Sequence, residues 1–131
     1  MIVAVDTNIL VRFLVADEPE QARRARELFS LNTILIPTTV LLETEWVLRS
    51  AYGFGREEIE NAFMRLCGLP QVVLDQPEVV RTALTGYGAG LDFADALHLT
   101  SSRRAQSFAT FDQDLRKRVD RLPNTVPVVE P

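Results

Sequence analysis

The sequence alternates short apolar segments with longer amphipathic ones, and this alternation narrows the choice of fold more than any other feature. The short segments are rich in β-branched residues and are predicted as strands, at about residues 2–5, 34–36, 72–74, 107–110 and 126–129. The longer segments carry apolar residues every three or four positions and are predicted as helices, at about residues 7–16, 19–30, 38–52, 56–66, from 77 up to a flexible loop at 87–90, 92–104 and from 112. Strands that alternate with helices indicate an α/β fold with a mainly parallel sheet. No repeat or linker interrupts the pattern, so a single domain over residues 1–131 is expected.

Size and composition place the chain among ordinary globular proteins. Its 131 residues, 47% hydrophobic and 24% charged, are enough for one domain with a core that needs no disulfide. The longest apolar run, residues 1–5, is too short to cross a membrane, and the N-terminus lacks the pattern of a signal peptide. The single cysteine, Cys67, has no internal partner for a disulfide, which fits a reducing compartment. A cytoplasmic location without a membrane is therefore expected.

The charge balance bears on the class of partner. Fourteen basic residues against eighteen acidic ones give a net charge of −4, the wrong sign for a simple nucleic-acid-binding surface. Thirteen of the fourteen are arginine, a residue suited to bidentate contacts with phosphate. If four acids are set aside for a metal site, the remaining charges balance. A polyanionic substrate is therefore compatible with this sequence, provided that local arginines and a bound cation take part.

Several aspartates fall where a parallel sheet gathers its ligands. Asp6 ends the first predicted strand, and Asp112 follows the fourth by two residues. Asp92 and Asp95 open the helix before that strand, three residues apart, so both can lie on one face of its first turn. Ligands bind beyond the carboxyl ends of parallel strands, so these acids are expected to converge on one edge of the sheet. Crowded carboxylates repel one another, and a hard divalent cation relieves that repulsion.

Ordinary structural roles are open for the same aspartates. Asp92 and Asp112 could cap their helices, and Asp95 could favour the dipole of its helix from the first turn. Asp6 is harder to explain in this way, because an aspartate at the end of a buried strand needs hydrogen bonds or a cation.

The third predicted helix carries two glutamates, Glu43 and Glu45, and helical geometry does not choose between them. Glu45 lies four residues before Arg49, the spacing of an ordinary surface pair. Glu43 lies between Trp46 and Val47 on the helix, an apolar setting in which a carboxylate needs a partner. This setting favours Glu43 as the functional residue.

Four acidic segments follow one another along the chain: DTNIL at 6–10, VLLETEWVL at 40–48, LDFADAL at 91–97 and TFD at 110–112. Together they resemble the motifs of the PIN domain family. Each motif is weak alone, but four in the right order over residues 2 to about 115 are specific. The resemblance implies a three-layer α/β/α fold with a central, mainly parallel sheet of about five short strands.

The resemblance also implies an activity and partners. A single PIN-like domain of this size is most similar to the toxin ribonuclease of a VapBC-type, type II toxin–antitoxin pair. Such an enzyme hydrolyses phosphodiester bonds of structured RNA, such as tRNA, with one or two Mg²⁺ ions, or Mn²⁺ as a substitute. A small cognate antitoxin and a homodimeric state are implied as well.

Transferred position by position, the family's acidic quartet falls on Asp6, Glu43, Asp95 and Asp112. Asp6, Asp95 and Asp112 are the implied metal ligands, and Glu43 and Asp92 are further candidates. Asp114 is an alternative to Asp112. Three polar residues match positions near the family's site, namely Thr7, Asn8 and Thr110.

Basic residues near these motifs are candidate contacts for RNA phosphate, and each is equally plausible as a solvated side chain. They are Arg12, Arg103, Arg104, Arg116 and Arg118. The only histidine, His98, lies one turn beyond Asp95 and is expected to be a core or structural residue.

Two other functions compete with the nuclease. In a phosphatase-like phosphoryl transferase, Asp6 would be the nucleophile, but that chemistry needs a second aspartate where this chain has Asn8. In a non-catalytic binding module, a partner would occupy the acidic pocket. Activity that depends on a divalent metal and on Asp6 discriminates among the three.

Overall fold

A computed structural model describes residues 1–123 and 125–131 of the chain. The chain divides into two compact units, residues 1–77 and 78–131. Each unit contains parallel strands and the helices that connect them.

The first unit is built on a three-stranded parallel sheet. Its elements, in chain order, are β1 (Ile2–Ala4), α1 (Thr7–Leu14), α2 (Pro19–Leu31), β2 (Thr33–Ile36), α3 (Thr38–Ser50), α4 (Arg56–Cys67) and β3 (Val72–Leu74). The strand order is β1-β2-β3, with Val3 opposite Ile34 and Ile34 opposite Val72. Because all three strands run the same way, the residues that follow them lie along one edge of this sheet.

The position of each strand in this sheet sets its burial. Ile34 and Ile36 on the central strand β2 are fully buried, as the apolar composition of a central parallel strand requires. In contrast, β1 lies at the edge, and Ile2 is 69% exposed. The expectation of a buried first strand is therefore wrong, because burial follows the place in the sheet and composition alone does not reveal it.

An aspartate after β3 holds the start of α3. Its Oδ1 accepts hydrogen bonds from the backbone N–H of Thr38 at 2.9 Å and from the Thr38 hydroxyl at 2.6 Å. The residue is Asp75, and Pro37 at the formal cap position makes no side-chain cap bond. One of the orphan N–H groups of α3 is thus satisfied across the sheet edge by a residue 37 positions away.

The second unit pairs two very short strands in parallel. Its elements are α5 (Pro77–Gly88), α6 (Phe93–Thr100), β4 (Phe108–Ala109), α7 (Gln113–Arg118), a 3₁₀ turn (Val119–Arg121) and β5 (Val128–Val129). Phe108 lies opposite Val128, and Ala109 lies opposite Val129.

Two boundaries in this unit differ from the prediction. The loop predicted at 87–90 begins later, because Tyr87 is buried in α5 with its ring 5.4 Å from that of Phe93, edge to face. Helix α6 ends at Thr100 and not at residue 104. Beyond Thr100 the hydroxyl of Ser102 bonds back to the carbonyl of His98, a contact that competes with helix continuation.

The predicted α/β fold class with a mainly parallel sheet is confirmed, since every strand pair described is parallel. The five strands pair as a set of three and a set of two. The assignment of residues 1–131 to one domain stays a prediction. The longest helices in the described part of the chain have 13 residues, and none is long and apolar enough to cross a membrane.

Replacing Asp75 by alanine removes both hydrogen bonds at the start of α3. We expect the free energy of unfolding to fall by about 0.5–2 kcal/mol, the usual cost of a lost helix cap. Asp75→Asn keeps an Oδ1 acceptor and should cost clearly less. Urea denaturation followed by circular dichroism measures both variants, and equal losses would contradict the role assigned to Oδ1.

Candidate functional site

Asp6 lies at the turn between β1 and α1 and caps that helix. Its Oδ1 accepts a hydrogen bond from the backbone N–H of Ile9 at 3.0 Å, and its side chain is exposed. The structure therefore gives Asp6 the capping role that its sequence position did not suggest. The helix holds Oδ1, and a carboxylate has a second oxygen with which it can bind a cation.

Thr7 and Asn8 follow Asp6 and meet Glu43 of α3. The hydroxyl of the buried Thr7 donates a short hydrogen bond to Oε1 of Glu43. A cleft of about 270 Å³ is lined by Asp6, Thr7, Asn8, Val40, Glu43 and Val47. The first unit thus brings together four of the predicted site residues.

The two glutamates of α3 have opposite environments. Glu43 is exposed at the cleft, whereas Glu45 is only 2% exposed and accepts hydrogen bonds from Arg49 at 2.9 and 3.4 Å. The predicted pair between Glu45 and Arg49 is confirmed, but its placement on the surface is wrong for Glu45, because that carboxylate is buried. A buried carboxylate tied to an arginine is part of the packing, which leaves Glu43 as the accessible acid of this helix.

In the second unit, two aspartates cap helices. Asp92 accepts from the backbone N–H of Asp95 at 3.1 Å and caps α6. Asp112 caps α7, accepting from the N–H groups of Asp114 at 2.9 Å and Leu115 at 3.1 Å. Its own N–H donates to the hydroxyl of Thr110 at 3.0 Å, so the supporting role predicted for Thr110 has a geometric counterpart.

The surroundings of Asp95 disfavour its ionised form. Partial burial raises the pKa of Asp95, and the charges of Asp92 and Asp112 raise it further, while His98 lowers it. Two negatively charged neighbours act on one carboxyl group, so the predicted crowding is present within this unit. His98 is exposed, which corrects the expectation of a core histidine.

The donors fit a hard cation by their chemistry. In the part of the chain that the structure describes, no group of three or more His, Cys, Asp or Glu side chains is arranged to hold a metal. Carboxylate and hydroxyl oxygens are nevertheless the ligands that Mg²⁺ takes, and Mg²⁺ retains several waters, so it needs only one or two protein carboxylates. The raised pKa of Asp95 shows the repulsion that such a cation relieves. Whether the acids of the two units share one edge stays a prediction.

The candidate phosphate contacts divide into engaged and free side chains. Arg12 donates to Gln21 at 2.7 Å, Tyr52 at 3.1 Å and Asp17 at 3.4 Å. Arg103 donates to Thr82 and Arg116 pairs with Glu130, at 3.0 and 3.3 Å. Arg104 and Arg118 are exposed and form no ion pair within the described residues.

A second cleft beside Asp6 contains an arginine that the sequence did not single out. The cleft measures about 530 Å³, runs between α1 and α2, and is lined by residues that include Arg12 and Arg24. Arg24 is exposed on α2, the helix that packs against α1. Its sequence position does not distinguish it from the other exposed arginines of that helix.

Glu43→Gln and Glu45→Gln make a matched pair on one helix. We expect Glu43→Gln to change the free energy of unfolding by no more than about 0.5 kcal/mol, because its side chain is exposed. Glu45→Gln should lower it by about 1.5–3 kcal/mol, because it removes the charge that accepts from Arg49. Chemical denaturation of both variants measures the difference, and a larger loss at Glu43 would show that the two glutamates are assigned to the wrong roles.

Asp95→Asn should stabilise the metal-free chain at neutral pH. The unfolded chain ionises Asp95 near 3.8 and the folded chain only at higher pH, so folding becomes less favourable as pH rises through this window. The gain from Asp95→Asn should therefore be largest above the raised pKa of Asp95 and shrink as pH falls through it. Chemical denaturation in EDTA at several pH values measures the gain in stability. The control is Asp114→Asn, which replaces an exposed aspartate. A gain that grows toward acid pH would have the wrong sign.

Comparison with known proteins identifies the chain at the level of its family. A model of the PIN domain matches residues 3–121. Comparisons with curated proteins and with solved structures gave no significant match. PIN domains are generally nucleases that need metal ions. The match covers nearly the whole sequence and includes Asp6, Glu43, Asp95 and Asp112, and the chain therefore belongs to the PIN domain family.

Proposed function

We propose that this chain is a divalent-metal-dependent endoribonuclease, the toxin of a type II toxin–antitoxin pair that acts on structured RNA such as tRNA. The observation that carries the nuclease is the PIN match over residues 3–121, within which all four positions of the acidic quartet hold an acid. The geometry adds support, because Asp6 and Glu43 line one cleft and the charges of Asp92 and Asp112 raise the pKa of Asp95.

The proposed metal ligands are Asp6, Asp95 and Asp112, with Glu43 and Asp92 as further ligands for one or two ions. Mg²⁺ is the proposed ion and Mn²⁺ its substitute, because all of these donors are oxygens. When bound, the metal lowers the pKa of a water and offsets the negative charge that develops at the phosphate.

The chain's own residues orient the reactants. The capping bonds at Asp6 and Asp112 fix the direction of each carboxylate, and the Thr7 hydroxyl fixes that of Glu43. Glu43, exposed at its cleft, accepts a hydrogen bond from the attacking water and aligns it with the phosphorus. The water gives up one proton to solvent and its oxygen bonds to phosphorus as the bond from phosphorus to the 3′ oxygen breaks. The 3′ oxygen takes up a proton from solvent, which gives a 5′-phosphate and a 3′-hydroxyl. No histidine or lysine is needed as a base.

The toxin assignment goes further than the family does, and it rests on the similarity in size between this chain and VapBC-type toxins. Exposed carboxylates such as Asp6 and Glu43 are electrostatically suited to a cationic segment of a small antitoxin. A homodimer and a cytoplasmic location complete the proposal. Arg104 and Arg118 are the arginines of this set best placed to contact phosphate, since neither is held by an ion pair in the described structure.

The first test is cleavage of structured RNA by the purified chain with Mg²⁺ or Mn²⁺. We expect EDTA, Asp6→Asn and Asp95→Asn each to lower the rate on the order of 100-fold or more, because several kcal/mol of charge stabilisation are lost. Glu57→Gln, an exposed acid in the first turn of α4, is the matched control and should keep full activity.

Each other outcome has a definite reading. Cleavage that survives Asp6→Asn comes from a contaminating ribonuclease and leaves the catalytic assignment without support. RNA bound but not cut with either metal identifies a binding module. Expression in a bacterial host is expected to arrest growth, and an arrest that persists with Asp6→Asn would contradict the toxin assignment.

A further inference from the structure

The most exposed ring in the second unit lies directly before Asp112. Phe111 is 78% exposed, and it is the only exposed residue among the seven phenylalanines of the chain. Exposing a large apolar ring costs free energy that burial would recover. Its ring stacks on no other aromatic ring in the described structure.

The backbone on both sides of Phe111 is fixed. The N–H of Thr110 donates to the carbonyl of Val129 at 2.9 Å, and the N–H of Asp112 donates to the Thr110 hydroxyl at 3.0 Å. Asp112 in turn caps α7 with its side chain. Hydrogen bonds therefore hold the backbone that exposes this ring to solvent, directly before Asp112.

Within the described residues of the second unit, Phe111 is not part of an apolar docking face. Asp112, Gln113 and Asp114 follow it, all exposed and polar. Among the described residues of the second unit, the other exposed large hydrophobic residue is Val129, at 38%. Protein-docking faces are contiguous apolar patches, whereas an isolated ring among charged groups is suited to stacking on a nucleobase.

Cations lie on the helix that follows. Lys117 of α7 and Arg116, which pairs with Glu130 at 3.3 Å, line a cleft of about 390 Å³ with Gln113 and Val128. A stacking ring with cations nearby is the usual composition of a site for single-stranded nucleic acid, in which the ring holds a base and the cations follow the phosphates.

We propose that Phe111 stacks on an unpaired base of the RNA substrate beside the phosphate that is cut. The inference rests on the proposed ribonuclease function and adds a substrate requirement to it: a single-stranded nucleotide at the cleavage site. Phe111 is thus a substrate-positioning residue. Every base offers a π face, so this contact tolerates different sequences.

The test uses the full chain and an oligoadenylate of about 12 nucleotides, within the usual span of single-strand sites. Ca²⁺ replaces Mg²⁺ in the binding measurements. Phe111→Trp in a Trp46→Phe background provides the one tryptophan of that variant as a fluorescent probe. We expect its emission to be quenched by oligoadenylate and not by a matched abasic oligonucleotide.

Three further variants separate stacking from other contacts. Phe111→Leu keeps apolar bulk without a π face, and we expect it to weaken RNA binding about 5- to 150-fold, as much as Phe111→Ala does. Phe111→Trp should bind at least as tightly as the unaltered chain. Met64→Ala, which removes a 60% exposed side chain from α4, is the control and should bind normally. Thermal unfolding confirms that each variant is folded.

Several results would overturn the proposal. If Phe111→Leu binds RNA as tightly as the unaltered chain, the ring does not stack on a base and the proposal is wrong. An unquenched probe on bound oligoadenylate would do the same. A changed oligomeric state in Phe111→Ala with intact RNA binding would assign the ring to a protein contact. If only the stacking proposal is wrong, the unaltered chain still cleaves RNA. If the unaltered chain does not cleave RNA, the ribonuclease proposal is wrong and this inference falls with it.

Discussion

The bond between a carboxylate and the first N–H groups of a helix is the interaction on which the candidate site depends. Asp6, Asp92 and Asp112 each stand where the chain enters a helix, and each uses an oxygen to cap it. A capping bond stabilises the helix and also fixes the direction of the carboxylate. The same side chain can therefore serve folding and metal binding, because one carboxylate oxygen caps the helix and the second oxygen can bind a cation.

The ionised form of Asp95 is destabilised by folding. Partial burial and the charges of Asp92 and Asp112 raise its pKa, so its carboxylate is less stable in the folded chain than in the unfolded chain. Sites that bind ions often keep such unfavourable charge in the absence of the ion, because the same repulsion becomes attraction for a cation. The repulsion among Asp92, Asp95 and Asp112 thus lowers the stability of the folded chain, and a bound cation would relieve it.

The fold class could be predicted because it depends on local patterns. Short β-branched runs and helical spacing of apolar residues fix where most elements lie, and both patterns are visible in the sequence. The exposure of β1 could not be predicted, because it depends on which strand lies at the edge of the sheet. Nor could the cap that Asp75 provides for α3, since that bond joins residues 37 positions apart.

The candidate site was predictable at the level of residue type and less so at the level of environment. Asp6, Glu43 and Asp112 were identified from motifs, and the choice of Glu43 over Glu45 is supported by their exposure. The burial of Glu45 was not apparent, because helical spacing alone suggested a surface pair with Arg49. The exposure of Phe111 was also missed, since a phenylalanine after a strand is ordinarily counted as core.

The network around Arg12 has a consequence for the far end of its helix. Its guanidinium is bound to Gln21 of α2, to Tyr52 beyond α3 and to Asp17 in the turn between α1 and α2. Helix α1 has eight residues, so Arg12 lies about 9 Å along the axis from Asp6, which caps its first turn. A helix of only two turns bends little between its ends. The bonds of Arg12 therefore restrain the orientation of α1, and with it the backbone from which the Asp6 carboxylate extends.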